Sequence, residues 1–334
     1  MVEVKMPKKL TFFEKCLQTL AVIQLAMTIS CQITIIPIML YITFFTKYWL
    51  FTILTLVWTW YDKEKGWKGG RSSRFMRELP HFKYLRDYFP IDLVKTADLD
   101  PNKNYLFCNH PHGLLSTASF INFCLGTSPR TELFPGLRFF MTSLDVNLKY
   151  PVVRDYGMCL GLISASKKSL TYLLNDSKKG NVVILMIGGA EEVIYTIPGK
   201  NKLILKKRKG FIKLALKLGC GLVPVFHFGE NDLFQLKEPN PGTWLYTAQQ
   251  WIKKKTGAVL ALPMGQFGLF CVPKGVPLTT VVGKPINVPK VAEPTQEQID
   301  HYHAVYTEAL VNLFEEHKYK YMKDPENSHL EIIE

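Results

Sequence analysis

Two histidines two positions apart, His110 and His112, flank Pro111 and are followed by Gly113 at the end of a short β-prone run. An imidazole titrates near pH ~6.5, so at neutral pH it can take a proton from a hydroxyl and make that oxygen a nucleophile toward a thioester carbonyl. Such chemistry needs no covalent enzyme intermediate. Proline fixes one backbone dihedral and glycine permits close backbone approach, a combination suited to a tight loop pressed against a ligand. A plainer reading stays open, in which the two histidines only cap a turn. Metal binding fits poorly, because no Cys, Asp or Glu stands at ligand spacing beside the pair. No G-x-S-x-G elbow, H-E-x-x-H helix or G-x-x-x-x-G-K-[ST] loop occurs, so serine-nucleophile, zinc-protease and P-loop chemistry lack their signatures.

Elements must hold this loop in place. Asn104 to Cys108 reads as a strand, and a helical pattern begins near Leu114. In an open α/β sheet ligands gather outside the carboxyl ends of the strands, which is where such a loop would stand. The run Asn181 to Ile187 (NVVILMI) is almost wholly apolar and closes on Gly188-Gly189, as expected of a strand buried on both faces. Gly221 to Phe228 (GLVPVFHF) reads the same way, and Gly210 to Leu218 between them as a basic amphipathic helix. Thr295 and Gln298 form a capping box, and Ile299, Tyr302, Tyr306, Leu310 and Leu313 recur at helical spacing behind it. The pattern predicts a single α/β domain over residues 67–334, with no internal repeat and no low-complexity linker.

The first 66 residues are different in kind. No charged side chain falls within residues 16–46, and after Lys47 a second uncharged run covers 48–61. A helix crosses the hydrocarbon of a bilayer with about 20 apolar residues, so the first run is long enough and the second marginal. Pro37 and the turn-like Thr46-Lys47 allow a membrane hairpin; a single span followed by an interfacial helix is the other arrangement, and a buried helical pair in a soluble protein a third. Lys5, Lys8, Lys9 and Lys15 precede the apolar region and Lys63, Lys65, Lys68, Arg71, Arg74 and Arg77 follow it, a flanking that favours the cytosolic side for both ends. The apolar stretch is too long for a cleaved signal peptide. A formal net charge of +13 suits an anionic leaflet or an anionic substrate such as a CoA ester, and no nucleic-acid module accompanies it. Seven scattered cysteines, none in a C-x-x-C pair, point away from a disulfide framework and toward a reducing compartment.

Taken in order along the chain, a series of short motifs resembles the type-2 diacylglycerol acyltransferase family, which includes monoacylglycerol and wax-alcohol acyltransferases. They are Gly69-Gly70-Arg71, Asp87-Tyr88-Phe89-Pro90, Leu99-Asp100-Pro101 with Asn104-Tyr105, the histidine loop 110–113, Phe134-Pro135-Gly136 and Arg154-Asp155-Tyr156. Gly188-Gly189-Ala190 with Glu192, Arg208-Lys209-Gly210-Phe211, Phe228-Gly229-Glu230-Asn231, Thr280-Val281-Val282-Gly283 and Tyr302-His303-Ala304 complete the series.

The resemblance implies transfer of a fatty acyl group from acyl-CoA, as co-substrate and with no cofactor, to a lipid hydroxyl. It implies His112 as general base with His110 beside it, in a body similar to the glycerolipid acyltransferase α/β fold. In that fold an aspartate usually stands five positions after the histidine, where this chain has Leu115 and Thr117. Glu192 is the candidate for the acidic partner, a turn-capping glutamate being its plainer reading. Gly188-Gly189 is a candidate source of oxyanion donors. Pro111, Gly113, Glu230 and Asn231 are further candidates for contact with substrate. Lys206-Lys207-Arg208-Lys209 and Lys253-Lys254-Lys255 suit CoA phosphates, with Arg208 fitted for two-pronged contact, or an anionic leaflet. The implied setting is the endoplasmic reticulum membrane with the body facing the cytosol, extending to lipid droplets and to homo- or hetero-oligomers with other acyltransferases. The acceptor stays open among monoacylglycerol, diacylglycerol, long-chain alcohol and retinol.

Two departures stand out. Ala118 replaces a customary glycine, and residues 258–274 are shortened and lack the glycine-arginine-glycine segment usual in the family. The second departure raises an alternative, a catalytically impaired relative that binds lipid or a partner acyltransferase.

Overall fold

The computed structural model describes residues 10–236, 242–256, 263–268 and 272–333. Its helices are α1 (Phe12–Phe45), α2 (Trp49–Tyr61), α3 (Arg74–Arg77), α4 (His81–Tyr88), α5 (Thr117–Ser119), α6 (Arg130–Leu133), α7 (Val153–Cys159), α8 (Lys167–Leu174), α9 (Gly210–Leu218), α10 (Trp244–Thr256) and α11 (Gln296–Tyr321). The strands are β1 (Ile91–Lys95), β2 (Tyr105–His110), β3 (Arg138–Ser143), β4 (Leu162–Ser164), β5 (Asn181–Met186), β6 (Asn201–Ile204), β7 (Gly221–Phe228), β8 (Gln235–Leu236), β9 (Pro263–Met264), β10 (Leu278–Val282) and β11 (Leu330–Ile333).

Among the described residues the body is a mixed α/β fold on a seven-stranded sheet of order β1-β10-β7-β2-β5-β3-β4. β7, β2, β5, β3 and β4 run parallel, while β10 pairs antiparallel with β7 and carries β1 parallel to itself. The apolar runs lie at the centre because a strand covered on both faces has no polar side to show. In β2, Leu106 and Cys108 enter the core shared with α8, α9 and α11, whereas Tyr105 and Phe107 enter the opposite core with Phe123, Phe134 and Phe139. The period of two continues to the end of the strand, so Asn109 and His110 leave toward opposite faces. Helix α11 starts where its capping box places it, with Thr295 Oγ1 accepting from the Gln298 amide at 3.2 Å. A second, two-stranded sheet pairs β6 with β11, residues for which the alternation of the sequence is weak.

The apolar N-terminal runs fold as α1 and α2, separated by a turn over residues 46–48. One stripe of α1, including Gln18, Ala21 and Val22, is buried, and Ala21 and Val22 pack in one core with Phe82 and Leu85 of α4. Much of the remaining surface is apolar and exposed, including Phe44, Phe45, Trp49, Phe51, Trp60 and Tyr61. Among the described residues, no helix is long and apolar enough to cross a membrane. The end of α2 is tied to the body by charge. Asp62 takes ion pairs from Arg71 and from Arg154 at 3.2 Å, and Arg71 also reaches Asp155 at 2.6 Å. Arg154 is 1% exposed and also reaches Asp155 at 3.4 Å, so removing both carboxylates would strand a buried guanidinium. The motifs Gly69-Gly70-Arg71 and Arg154-Asp155-Tyr156 meet in this joint.

Candidate active site

β2 runs two residues further than its sequence suggests, so His110 is the last strand residue and His112 stands in the loop beyond it. The His112 Nδ1 lies 3.0 Å from the carbonyl oxygen of Gly113. A carbonyl can only accept, so Nδ1 carries the hydrogen and Nε2 keeps its lone pair. The half-buried ring lines a cavity of about 410 Å³ whose walls are mostly apolar, among them Leu115, Phe120, Leu144 and Val193. Burial holds the imidazole below its ordinary range, and the bond to Gly113 acts against that shift. Neutral, and with no hydrogen-bond partner at Nε2 among the described residues, it is set to accept a proton at pH 7.

Two buried glutamates fix the loop. Glu192, on the 3-10 turn Gly189–Tyr195, accepts the His112 backbone N–H at 2.7 Å through Oε1 and the Ile204 N–H at 2.9 Å through Oε2. Glu230, just after β7, accepts the amides of Thr117 at 2.7 Å and Ala118 at 2.8 Å. Burial raises each carboxyl to about 7, with the amide bonds pulling the other way. Each carboxylate lies against a glycine that cannot be replaced without displacement. A Cβ on Gly188 would stand 2.0 Å from Glu192 Oε2, and one on Gly113, whose φ is +61°, would stand 2.5 Å from Glu230 Cγ.

Glu192 is the sequence's candidate for the acidic partner of the imidazole; in this structure both of its oxygens accept backbone amides, and the carbonyl of Gly113 accepts from the ring. Amides at strand and helix ends have no partner of their own, and a buried carboxylate is drawn to them first. His110 takes a different place from His112. It is fully buried on the α11 side of the sheet, Nε2 2.9 Å from the Tyr306 hydroxyl, and does not line the cavity with His112. Desolvation takes its pKa down to about 3. The alternation of β2 is the reason, since a side chain on the Leu106 face cannot turn toward the Phe107 face.

The other candidates separate. Gly189 lines the cavity, and Pro111 is buried behind the loop. Arg208 pairs with Glu191 and reaches the Gly188 carbonyl at 3.3 Å, and Lys209 pairs with Asp300 of α11 at 2.6 Å; neither lines the cavity. Asn231 donates to the Lys200 carbonyl at 2.9 Å. The side chains of Lys253, Lys254 and Lys255 lie outside the described residues, as do residues 258–262 and 269–271 of the shortened segment 258–274.

A polar cluster went unread in the sequence. On the other face from His110, Asn109 donates to Ser119 Oγ at 2.7 Å; His227 Nε2 stands 2.9 Å from Asn109 and 2.7 Å from Ser119, and its Nδ1 2.8 Å from Thr280 Oγ1. Asn122 closes the cluster on Thr280 at 2.8 Å. Burial lowers His227 to about 3, so it is neutral. The signal available was a histidine inside the otherwise apolar GLVPVFHF run. Ser119→Ala takes one partner from two buried groups and is expected to lower stability by about 1–3 kcal/mol, read as a fall in the thermal unfolding midpoint.

The family described as diacylglycerol acyltransferase matches residues 41–332, most of the chain and all of the sheet. The chain belongs to this family. The 2-acylglycerol O-acyltransferase 3 of Homo sapiens is 41% identical over 314 residues, covering 92% of each chain. Diacylglycerol O-acyltransferase 2 of Danio rerio is 42% identical over 313 residues, 92% of this chain and 86% of its own. Human diacylglycerol O-acyltransferase 2-like protein 6 is 40% identical over 298 residues, 86% and 88% of the two chains. Among solved structures, the 1-acyl-sn-glycerophosphate (LPA) acyltransferase PlsC of Thermotoga maritima covers 90% of this chain and 97% of its own at 16% identity and a TM-score of 0.39. Of the motifs that carried the resemblance, the histidine loop places His112 on the cavity, while Glu192 and Glu230 hold the backbone amides of His112, Thr117 and Ala118. Ala118, the departure from the customary glycine, is buried there and donates its amide to Glu230.

Proposed function

We propose that this chain is an acyl-CoA-dependent O-acyltransferase that esterifies the free hydroxyl of an acylglycerol in neutral-lipid synthesis. The observation that carries this reading is His112, with Nδ1–H held by Gly113 and Nε2 bare on the wall of an apolar cavity. The acceptor hydroxyl gives its proton to Nε2 as its oxygen bonds the thioester carbon, and the carbonyl π pair moves onto oxygen. When that oxyanion collapses the C–S bond breaks, and the departing thiolate takes the proton back from the imidazolium. The products are an ester and free CoA, and the imidazole is regenerated. No cofactor is required. Amides of the Gly188-Gly189 turn are the donors we assign to the oxyanion, since Gly189 and Ala190 share the wall with His112.

The exposed apolar surface of α1 and α2 suits burial in a bilayer, with the aromatic end of α2 and Lys63, Lys65 and Lys68 at its polar boundary. In that setting the body faces the cytosol at the endoplasmic reticulum, where a lipid acceptor can enter sideways and acyl-CoA from water. The test is acyl transfer from labelled acyl-CoA to acylglycerols by detergent-solubilised full-length protein; no ester above the His112→Ala background would overturn the reading and favour the impaired relative.

The imidazole is the base and burial lowers its pKa, so its active form persists below the ordinary value. The acid limb of kcat/KM against pH is therefore expected to have its midpoint below ~6.5. A midpoint above that value would point to a different base.

A further inference from the structure

The cavity that holds His112 has a second polar station, and it lies on different elements. Gln24 of α1 and His81 of α4 both line it, joined by Gln24 Nε2 to His81 Nε2 at 3.4 Å. An amide nitrogen can only donate, so His81 Nε2 is the acceptor and its hydrogen is on Nδ1. Among the described residues no other hydrogen bond engages either side chain, which leaves a carbonyl acceptor, Gln24 Oε1, beside an N–H donor, His81 Nδ1. Of the other polar wall residues, Thr28 is bonded to the Gln24 carbonyl, Ser116 to the His112 carbonyl and Thr142 to the Ile184 carbonyl, whereas the buried Thr117 hydroxyl, deeper in the cavity beside the histidine loop, has no partner among the described residues.

The station marks the mouth. Gln24 is exposed, and it shares a face of α1 with Leu20 and Met27, which are 60% and 61% exposed. Gln24 is open to solvent and His81 is half-buried, so an entering molecule meets this acceptor and donor before it reaches His112. The lipid alcohols that could present a hydroxyl to His112 differ in what else they carry. A long-chain alcohol carries nothing. A diacylglycerol carries two esters, which only accept. A monoacylglycerol carries a second hydroxyl, able to donate to Gln24 Oε1, and an ester carbonyl, able to accept from His81 Nδ1–H.

We infer that Gln24 and His81 form an acceptor-recognition site that reads the second hydroxyl and the ester of a monoacylglycerol, making that lipid the preferred acceptor. The inference rests on the acyltransferase reading and adds its substrate. Burial also keeps His81 below its ordinary range, so that it is neutral at pH 7, as the bond pattern requires.

The experiment compares wild type with the Gln24→Leu/His81→Leu double variant, in full-length solubilised protein. Acceptors are 2-monoacylglycerol, diacylglycerol and the long-chain alcohol of matched chain length. Wild type is expected to favour monoacylglycerol. In the variant the specificity constant for monoacylglycerol should fall about tenfold relative to the other acceptors, through KM, while the KM for acyl-CoA moves less than about twofold. His81→Gln, which keeps a donor, should recover most of the loss. A proportional fall with all acceptors, a rise of both KM values together, or a wild type that prefers diacylglycerol or the alcohol would overturn the inference and leave the acyltransferase reading intact. Absence of all transfer in wild type would instead sink that reading and this one with it.

Discussion

His112→Ala is expected to lower the turnover of acyl transfer by about 10²- to 10⁴-fold, the range a positioned general base contributes. The loss should fall on kcat rather than on the KM for acyl-CoA, because the imidazole meets the acceptor proton only as the new bond forms. The backbone N–H that Glu192 holds is kept in the alanine variant, so the loop stays clamped and the thermal midpoint should move little. His110→Ala should behave in the opposite way. It empties a buried site beside Tyr306, so its effect is expected first on stability and only then on rate. A His112→Ala protein retaining more than about a tenth of wild-type kcat would remove the imidazole from the reaction.

Gly188→Ala is expected to damage both fold and function. The added carbon would meet Glu192 at three points, Oε2 at 2.0 Å, Cδ at 2.3 Å and Cβ at 2.7 Å, so a rotation of the carboxylate alone cannot relieve it. Moving Glu192 leaves the amides of His112 and Ile204 without an acceptor, at about 1–3 kcal/mol for each buried group. The expected result is a loss of about 2–5 kcal/mol in stability with turnover reduced in the fraction that folds, measured by denaturant unfolding and by transfer rate per folded molecule. A variant as stable as wild type would show that Glu192 does not hold the loop.

Much of the body was legible because apolar runs and periodicity are local properties. Helix α9 and strand β7 occupy the residues their patterns mark, and β5 ends one residue earlier than its run. The capping box at Thr295 is also a local signal, carried by two side chains three apart. What was not legible depends on direction in space. Nothing in the spelling of HPHG says that two imidazoles two apart would be separated by the end of a strand, one buried against α11 and one on the cavity. Nor does the glycine turn announce that its glutamate bonds amides from β6 and the loop, because that choice is made by groups 12 and 80 residues away. The family resemblance named candidate residues, and where each of them points is a matter of geometry. The cluster around His227 was invisible for the same reason, since its members come from β2, α5 and the turn after it, β7 and β10.

The cavity wall supplied by Ala21, Gln24, Leu25 and Thr28 has a further meaning, for these residues belong to α1, whose other side chains are in large part apolar and exposed. Whatever surface α1 rests on therefore also bounds the doorway to His112, and a shift of that helix would reshape the entrance while the proton-handling loop stays clamped by Glu192.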